Sequence, residues 1–188
     1  MNLANFVIYI SSFAWIFPIF RQYKTRFFYF FLILGLSDPI NLLCVLELNV
    51  KSGLVHSIAS LLLFYSINHS EKKTRFSYTD MLVVILFLST TVFLAELYFI
   101  TIGIHILILA RFIQLFTIIL HQKTEINIFC AGLVFYEITV VIKLAIYLSG
   151  TYSGVLFSYI TLAFQLLIAI FFTIYREDNP HLRVKLKS

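Results

Sequence analysis

Residues 81–120 read MLVVILFLSTTVFLAELYFITIGIHILILARFIQLFTIIL, a stretch in which Glu96 and Arg111 are the only fully charged side chains. As one helix it would extend ~60 Å at ~1.5 Å per residue, twice the ~30 Å hydrocarbon core of a bilayer. It must therefore fold as two membrane-crossing helices. The expected turn is Tyr98–Gly103, which holds the only glycine of the block.

Stretches of the same character lie on both sides. The chain of 188 residues is 61% hydrophobic and 12% charged, with a mean hydropathy of +0.95. Soluble domains carry about 45–50% apolar and about 25% charged residues, and so short a chain cannot hide this much apolar surface from water. Composition thus excludes soluble enzymes, disulfide scaffolds and disordered tails. The expected class is an all-α, polytopic integral membrane protein. A crossing helix needs ~20 apolar residues, and seven such segments occur, at about 3–20, 27–46, 54–68, 81–95, 102–120, 126–148 and 154–175. The third is short, so a tilted or re-entrant hairpin is an alternative there. Residues 1–175 are read as a seven-helix transmembrane domain and residues 176–188 as a basic cytoplasmic tail.

Charge placement gives the orientation. Arg21, Lys24 and Arg26, then Lys72, Lys73 and Arg75, then Lys123, then Arg176, Arg183, Lys185 and Lys187 fall in alternate connections, and the opposite connections hold only Lys51. The positive-inside rule puts the N-terminus outside and the C-terminus in the cytoplasm, in an inner or plasma membrane. The net charge of +5 is then accounted for by topology, and no nucleic-acid partner is expected. The first span lacks a basic n-region and a small-residue cleavage site, so it reads as a span and not a cleaved leader. Cys44 and Cys130 fall in different spans and imply no disulfide framework. Asn68-His-Ser70 matches a glycosylation sequon but is expected on the cytoplasmic side.

Lys24-Thr-Arg-Phe-Phe-Tyr29 recurs as Lys73-Thr-Arg-Phe-Ser-Tyr78, with a fainter echo at Lys123-Thr-Glu-Ile126. The first offset carries Glu47 onto Glu96 and His56 onto His105. One helix followed by three parallel-repeat hairpins would explain this, although basic residues at span boundaries are also what topology alone requires.

A charge at the bilayer centre costs ~2.5–3.5 kcal/mol on insertion scales, so polar residues within spans face the bundle interior or water. The candidates for a buried polar, ligand or proton site are Asp38, Asn41, Arg111, Gln114, Glu137, Lys143 and Gln165. Asp38 sits beside Pro39, where a missing backbone donor allows a kink. Glu137 lies too deep to reach water and must be protonated or paired, with Arg111 or Lys143 the expected partners. Lys143 is close enough to the outer end to snorkel, and it shares a helical stripe with Tyr136 and Tyr147. Arg111 cannot be neutralised and needs an acid, an anion or water.

Glu47, His56, Glu96 and His105 are expected at the outer ends of spans two to five. Together they could hold Zn²⁺, ligate haem or respond to protons, or simply be hydrated at the headgroups. No cofactor is predicted from them. The chain has no His-Glu-x-x-His, no Gly-x-Ser-x-Gly, no phosphate-binding glycine loop and no lysine in its last span for a retinal Schiff base.

The leading expectation is a non-catalytic membrane protein, a small sensory, ligand-binding or accessory subunit of a membrane complex. Its partners would be the bilayer and a membrane protein or a second copy, with the basic tail available to anionic lipid. A small secondary transporter or proton-coupled carrier is the alternative. An intramembrane enzyme without a linear motif comes third.

Overall fold

The apolar stretches become helices of the length their composition demands. The computed structural model describes residues 13–68, 78, 81–83, 85–87, 97–149 and 154–185. Its helices are α1 (Ile16–Arg21), α2 (Phe28–Leu48), α3 (Ser52–Asn68), α4 (Leu97–Lys123), α5 (Ile128–Ser149) and α6 (Gly154–Ile174). Three of them, α2, α4 and α5, are long and apolar enough to cross a membrane, while α3 and the Ile160–Ile174 part of α6 are apolar but shorter. The chain is thus mostly helical, with one two-stranded exception described below. Most of the expected first and fourth spans, and the Lys73–Tyr78 copy of the recurring motif apart from Tyr78 itself, lie outside the described residues.

The expected turn at Tyr98–Gly103 is not one. These residues form the first two turns of α4, which runs unbroken for 27 residues. A lone glycine costs a helix only roughly 0.5–1 kcal/mol relative to alanine, too little to break a run of leucine and isoleucine. Gly103 also serves no close contact, since nothing lies within 4 Å of where its β-carbon would stand.

Helices adjacent in sequence pack on one another from α1 to α4, then α4 on α5 and α5 on α6, and α6 returns to α1. The packing of α1 on α2 rests on close backbone approach. A β-carbon at Gly35 of α2 would stand 2.5 Å from the Trp15 carbonyl oxygen and 2.8 Å from Ile19 Cδ1, so only glycine lets the chain before α2 lie this near. Pro39 is accommodated inside a continuous α2.

Phenylalanine fills the core at one end of the bundle. The Phe31 ring lies 4.9 Å from Phe172, as does that of Phe129, and Phe30 meets Phe112 edge-on at 5.3 Å. Such tilted and edge-to-face pairs add about 0.5–1.5 kcal/mol each beyond burial. The same end holds the polar clasp that closes the chain. Gln22, wholly buried, donates from Nε2 to the carbonyls of Phe172 (3.0 Å) and Tyr175 (2.8 Å), and its Oε1 accepts from the Glu177 amide at 3.1 Å. Phe172 is in the last turn of α6 and Tyr175 follows it directly, at the end where helices leave acceptors unsatisfied.

Beyond Tyr175 the chain folds back. Asn179 caps a short 3₁₀ turn at Pro180–Leu182, Leu182 enters the core, and β2 (Arg183–Lys185) pairs antiparallel with β1 (Glu125–Asn127). Glu125 stands opposite Lys185, a favourable cross-strand charge pair. Asn127 then caps α5, its Oδ1 accepting from the amides of Phe129 and Cys130.

Glu177 joins the clasp by accepting from the Arg26 amide at 2.9 Å. Burial raises its carboxyl above the ordinary value, opposed by the Arg26 and Phe27 amides and the Arg26 charge. A carboxyl that holds its proton more tightly when folded contributes its stability at acid pH and loses it as pH rises through the raised folded value. Amide exchange at Arg183–Lys185 is therefore expected to quicken as pH rises above the ordinary carboxylate range, after correction for the intrinsic rate. Glu177→Gln, which keeps an acceptor oxygen, is expected to flatten that dependence. An unchanged profile in the variant would assign the effect elsewhere.

Candidate functional site

The site grows from a packing seam. On α3, Gly53, Ser57 and Ser60 are buried at i, i+4 and i+7, and on α4, Leu97, Thr101 and His105 are buried at i, i+4 and i+8. Small and hydroxyl residues at this spacing bring two membrane helices close. The Gly53 β-carbon position is 3.6 Å from Leu97 Cβ, and the Ser57 and Thr101 hydroxyls meet at 2.7 Å. Each of these hydroxyls is also placed to donate to the carbonyl one turn back, on Gly53 and Leu97. A hydroxyl has one proton, so one of the two gives up its own helix to bridge the pair.

One turn further the seam becomes ionisable. Ser60 Oγ donates to the His56 carbonyl at 2.8 Å and lies 2.9 Å from His105 Nε2. On the other side of the ring, His105 Nδ1 contacts Glu137 Oε1 of α5. His105 is 7% and Glu137 1% exposed. The second oxygen, Glu137 Oε2, is buried with no hydrogen-bond partner among the described residues. A chain of side chains thus laces three helices, α3 to α4 to α5.

Proton counting defines what this chain can do. With the Ser60 proton on the His56 carbonyl, Nε2–H donates to Ser60 Oγ. One proton then remains for the Nδ1–Oε1 contact, and the pair is neutral overall whether written as imidazolium and carboxylate or as imidazole and acid. Turning the Ser60 hydroxyl onto Nε2 instead would leave Nδ1–H donating to a carboxylate and a net negative site. That second state has the atom order of a serine hydrolase. Ser60 is, however, 3% exposed, in the interior of a helix and pressed into the seam.

Further charges surround the chain. His56 lies within electrostatic reach of Asp38, Lys143 and His105, and Tyr136 within reach of Glu137 and Asp38. Four helices therefore contribute, with Asp38 from α2. Trp15, the single tryptophan, packs its ring 4.7 Å from that of Tyr136, next to Glu137.

Several expected residues take other places. Glu137 pairs with His105 and not with Arg111 or Lys143. His105 faces the bundle interior and not a hydrated rim, because α4 begins earlier than the spacing predicts and places it on the buried face. Glu47 is exposed at the end of α2, Glu96 lies outside the described residues, and no group of three metal-binding side chains converges among the described residues. Arg111 donates to Gln114 one turn along α4, on an exposed flank. Asn41 buries Oδ1 without a partner, and Gln165 is buried on α6. Of the stripe Tyr136–Lys143–Tyr147, Tyr136 is buried while Tyr147 is exposed and stacks on Tyr98.

Sequence reasoning missed Ser57, Ser60 and Thr101. Serine and threonine are unremarkable in apolar helices, and the signal that finds them is their shared spacing with Gly53 and His105. Comparison with family models, with curated proteins and with solved structures finds no match.

Proposed function

We propose that this chain is a seven-span membrane protein with its N-terminus outside and its C-terminus in the cytoplasm. It works as a non-catalytic sensory, ligand-binding or accessory subunit of a membrane complex. The Ser60–His105–Glu137 chain is its responsive centre. Support for the orientation comes from the clasped end, where Arg21, Lys24, Arg26, Lys123, Arg176, Arg183 and Lys185 gather, as the cytoplasmic face of a membrane protein requires.

The observation that carries the functional reading is Glu137 Oε2. A buried acceptor without a donor costs roughly 1–3 kcal/mol, so the site gains by taking a proton or the N–H or O–H of a small ligand. Because its neighbours tie three helices together, filling it biases the packing of all three. A nucleophilic role for Ser60 is disfavoured by its burial and by its bond to the His56 carbonyl. The proton-coupled carrier is the second reading, favoured by Asp38 and Lys143, each within electrostatic reach of His56.

Trp15 reports on the site directly. In lipid nanodiscs its fluorescence is expected to step with pH, and Glu137→Gln to remove the step. A flat wild-type titration, or the same step in the variant, would sink the reading. Proton flux through vesicles that Glu137→Gln abolishes would establish the carrier in its place.

A further inference from the structure

Arg111 sits fourteen residues after the start of α4 and twelve before its end, about 21 and 18 Å along the axis at ~1.5 Å per residue. Its guanidinium stays charged at any accessible pH. Among the described residues its one acceptor is Gln114 Oε1, a neutral group, and its Nε is enclosed by protein with no acceptor at all. The flank on which the pair lies is open, with Ala110, Gln114 and Thr117 exposed at i, i+4 and i+7. A cation is therefore held near mid-span beside an open flank, its Nε enclosed and its Nη donors met only by Gln114 among the described residues.

We infer that this flank docks a transmembrane helix of a different protein, one that carries an aspartate or glutamate near its middle. The inference rests on the membrane-spanning reading above and gives the accessory role a partner class and an address. Charge selects the occupant. A carboxylate accepts two parallel bonds from a guanidinium fork, the strongest neutral-making pairing available to arginine. A phospholipid headgroup stays at the membrane surface, a helix half-length away. Among the described residues a second copy offers less: its fully exposed acids, Glu47 at the end of α2 and Asp178 beyond α6, are away from mid-span, and Asp38 is half-buried within electrostatic reach of His56. The small side chains Ala110 and Thr117 let a partner backbone come close enough for a short aspartate to reach.

The test uses the full chain, labelled with a donor fluorophore and reconstituted in phosphatidylcholine vesicles. Acceptor-labelled leucine–alanine transmembrane peptides carry either aspartate or leucine at their centre. The aspartate peptide is expected to reach half-maximal energy transfer at about tenfold lower peptide-to-lipid ratio than the leucine peptide. Arg111→Gln is expected to erase that preference while leaving the melting temperature within a few degrees, and Lys143→Gln, which removes an interior cation, to keep it. Equal transfer from both peptides, or a preference that survives Arg111→Gln, overturns the proposal. So does self-association of the chain that Arg111→Gln abolishes, which would make a second copy the occupant. Alkaline extraction of the same vesicles separates the two claims. A chain that washes off overturns the membrane reading along with the docking, whereas an integral chain without the aspartate preference overturns the docking alone.

Discussion

Replacing His105 with leucine is expected to destabilise the chain by about 3–5 kcal/mol, the usual cost of removing one member of a buried ion pair. Glu137→Leu should cost less, about 1–3 kcal/mol for one orphaned ring nitrogen. The difference follows from what each change leaves behind. Without His105, both Glu137 oxygens are buried with no partner, and the carboxyl must take up a proton or remain an uncompensated charge. Without Glu137, His105 keeps Ser60 through Nε2 and loses only the Nδ1 contact. The double variant, with both groups replaced by leucine of similar volume, leaves no orphan and should be no worse than His105→Leu alone. Thermal unfolding in detergent of the two single variants and the double checks this. Additive costs would mean that the contact contributes no coupling. An equal cost for the two single changes would mean that Glu137 holds more than His105.

The helical class and most helix ends were legible because bilayer thickness and chain rise leave few solutions. The expected segments 27–46 and 126–148 correspond closely to α2 and α5, and 54–68 to α3. Gly103 suggests a turn in the sequence but does not break α4, because in a long apolar run the cost of one glycine is below what the surrounding residues supply. The partner of Glu137 was not legible for a related reason. With apolar residues on every face of α4, hydrophobicity does not mark the buried side. Packing does: Leu97, Thr101, Ile104, His105, Ile108, Phe112 and Leu115 form the inner stripe. His105 falls on it and Arg111 does not. Choosing between the two as a partner for Glu137 required helical phase, and phase becomes visible only when the hydroxyl residues are counted with the apolar ones.

The basic tail illustrates the opposite case. The block of charge in residues 176–188 is plain in the sequence, but charge says nothing of the clip in which Arg183 and Lys185 sit, because that clip is made by backbone pairing and by Leu182. Gln22 likewise stands in a short connection between aromatic and basic residues, where a polar side chain attracts no notice.

Gln22 carries the second large expectation. Gln22→Leu should lower stability by about 3 kcal/mol or more, since it strips partners from the Phe172 and Tyr175 carbonyls and the Glu177 amide together, at roughly 1–3 kcal/mol for each group left buried and unpaired. Arg21→Gln provides the contrast. Arg21 Nε also donates to the end of α6, on the Ile174 carbonyl at 3.2 Å, but at an exposed position where water substitutes, so its loss should cost well under ~1 kcal/mol. The two residues are neighbours in sequence and touch the same helix terminus, which makes burial the variable that separates them. Melting temperature in detergent reads the global effect, and limited proteolysis within residues 176–185 reads release of the clip. If Gln22→Leu melted with Arg21→Gln and the segment stayed protected, the return of α6 to α1 would depend on the phenylalanine core, and the clasp would be incidental to it.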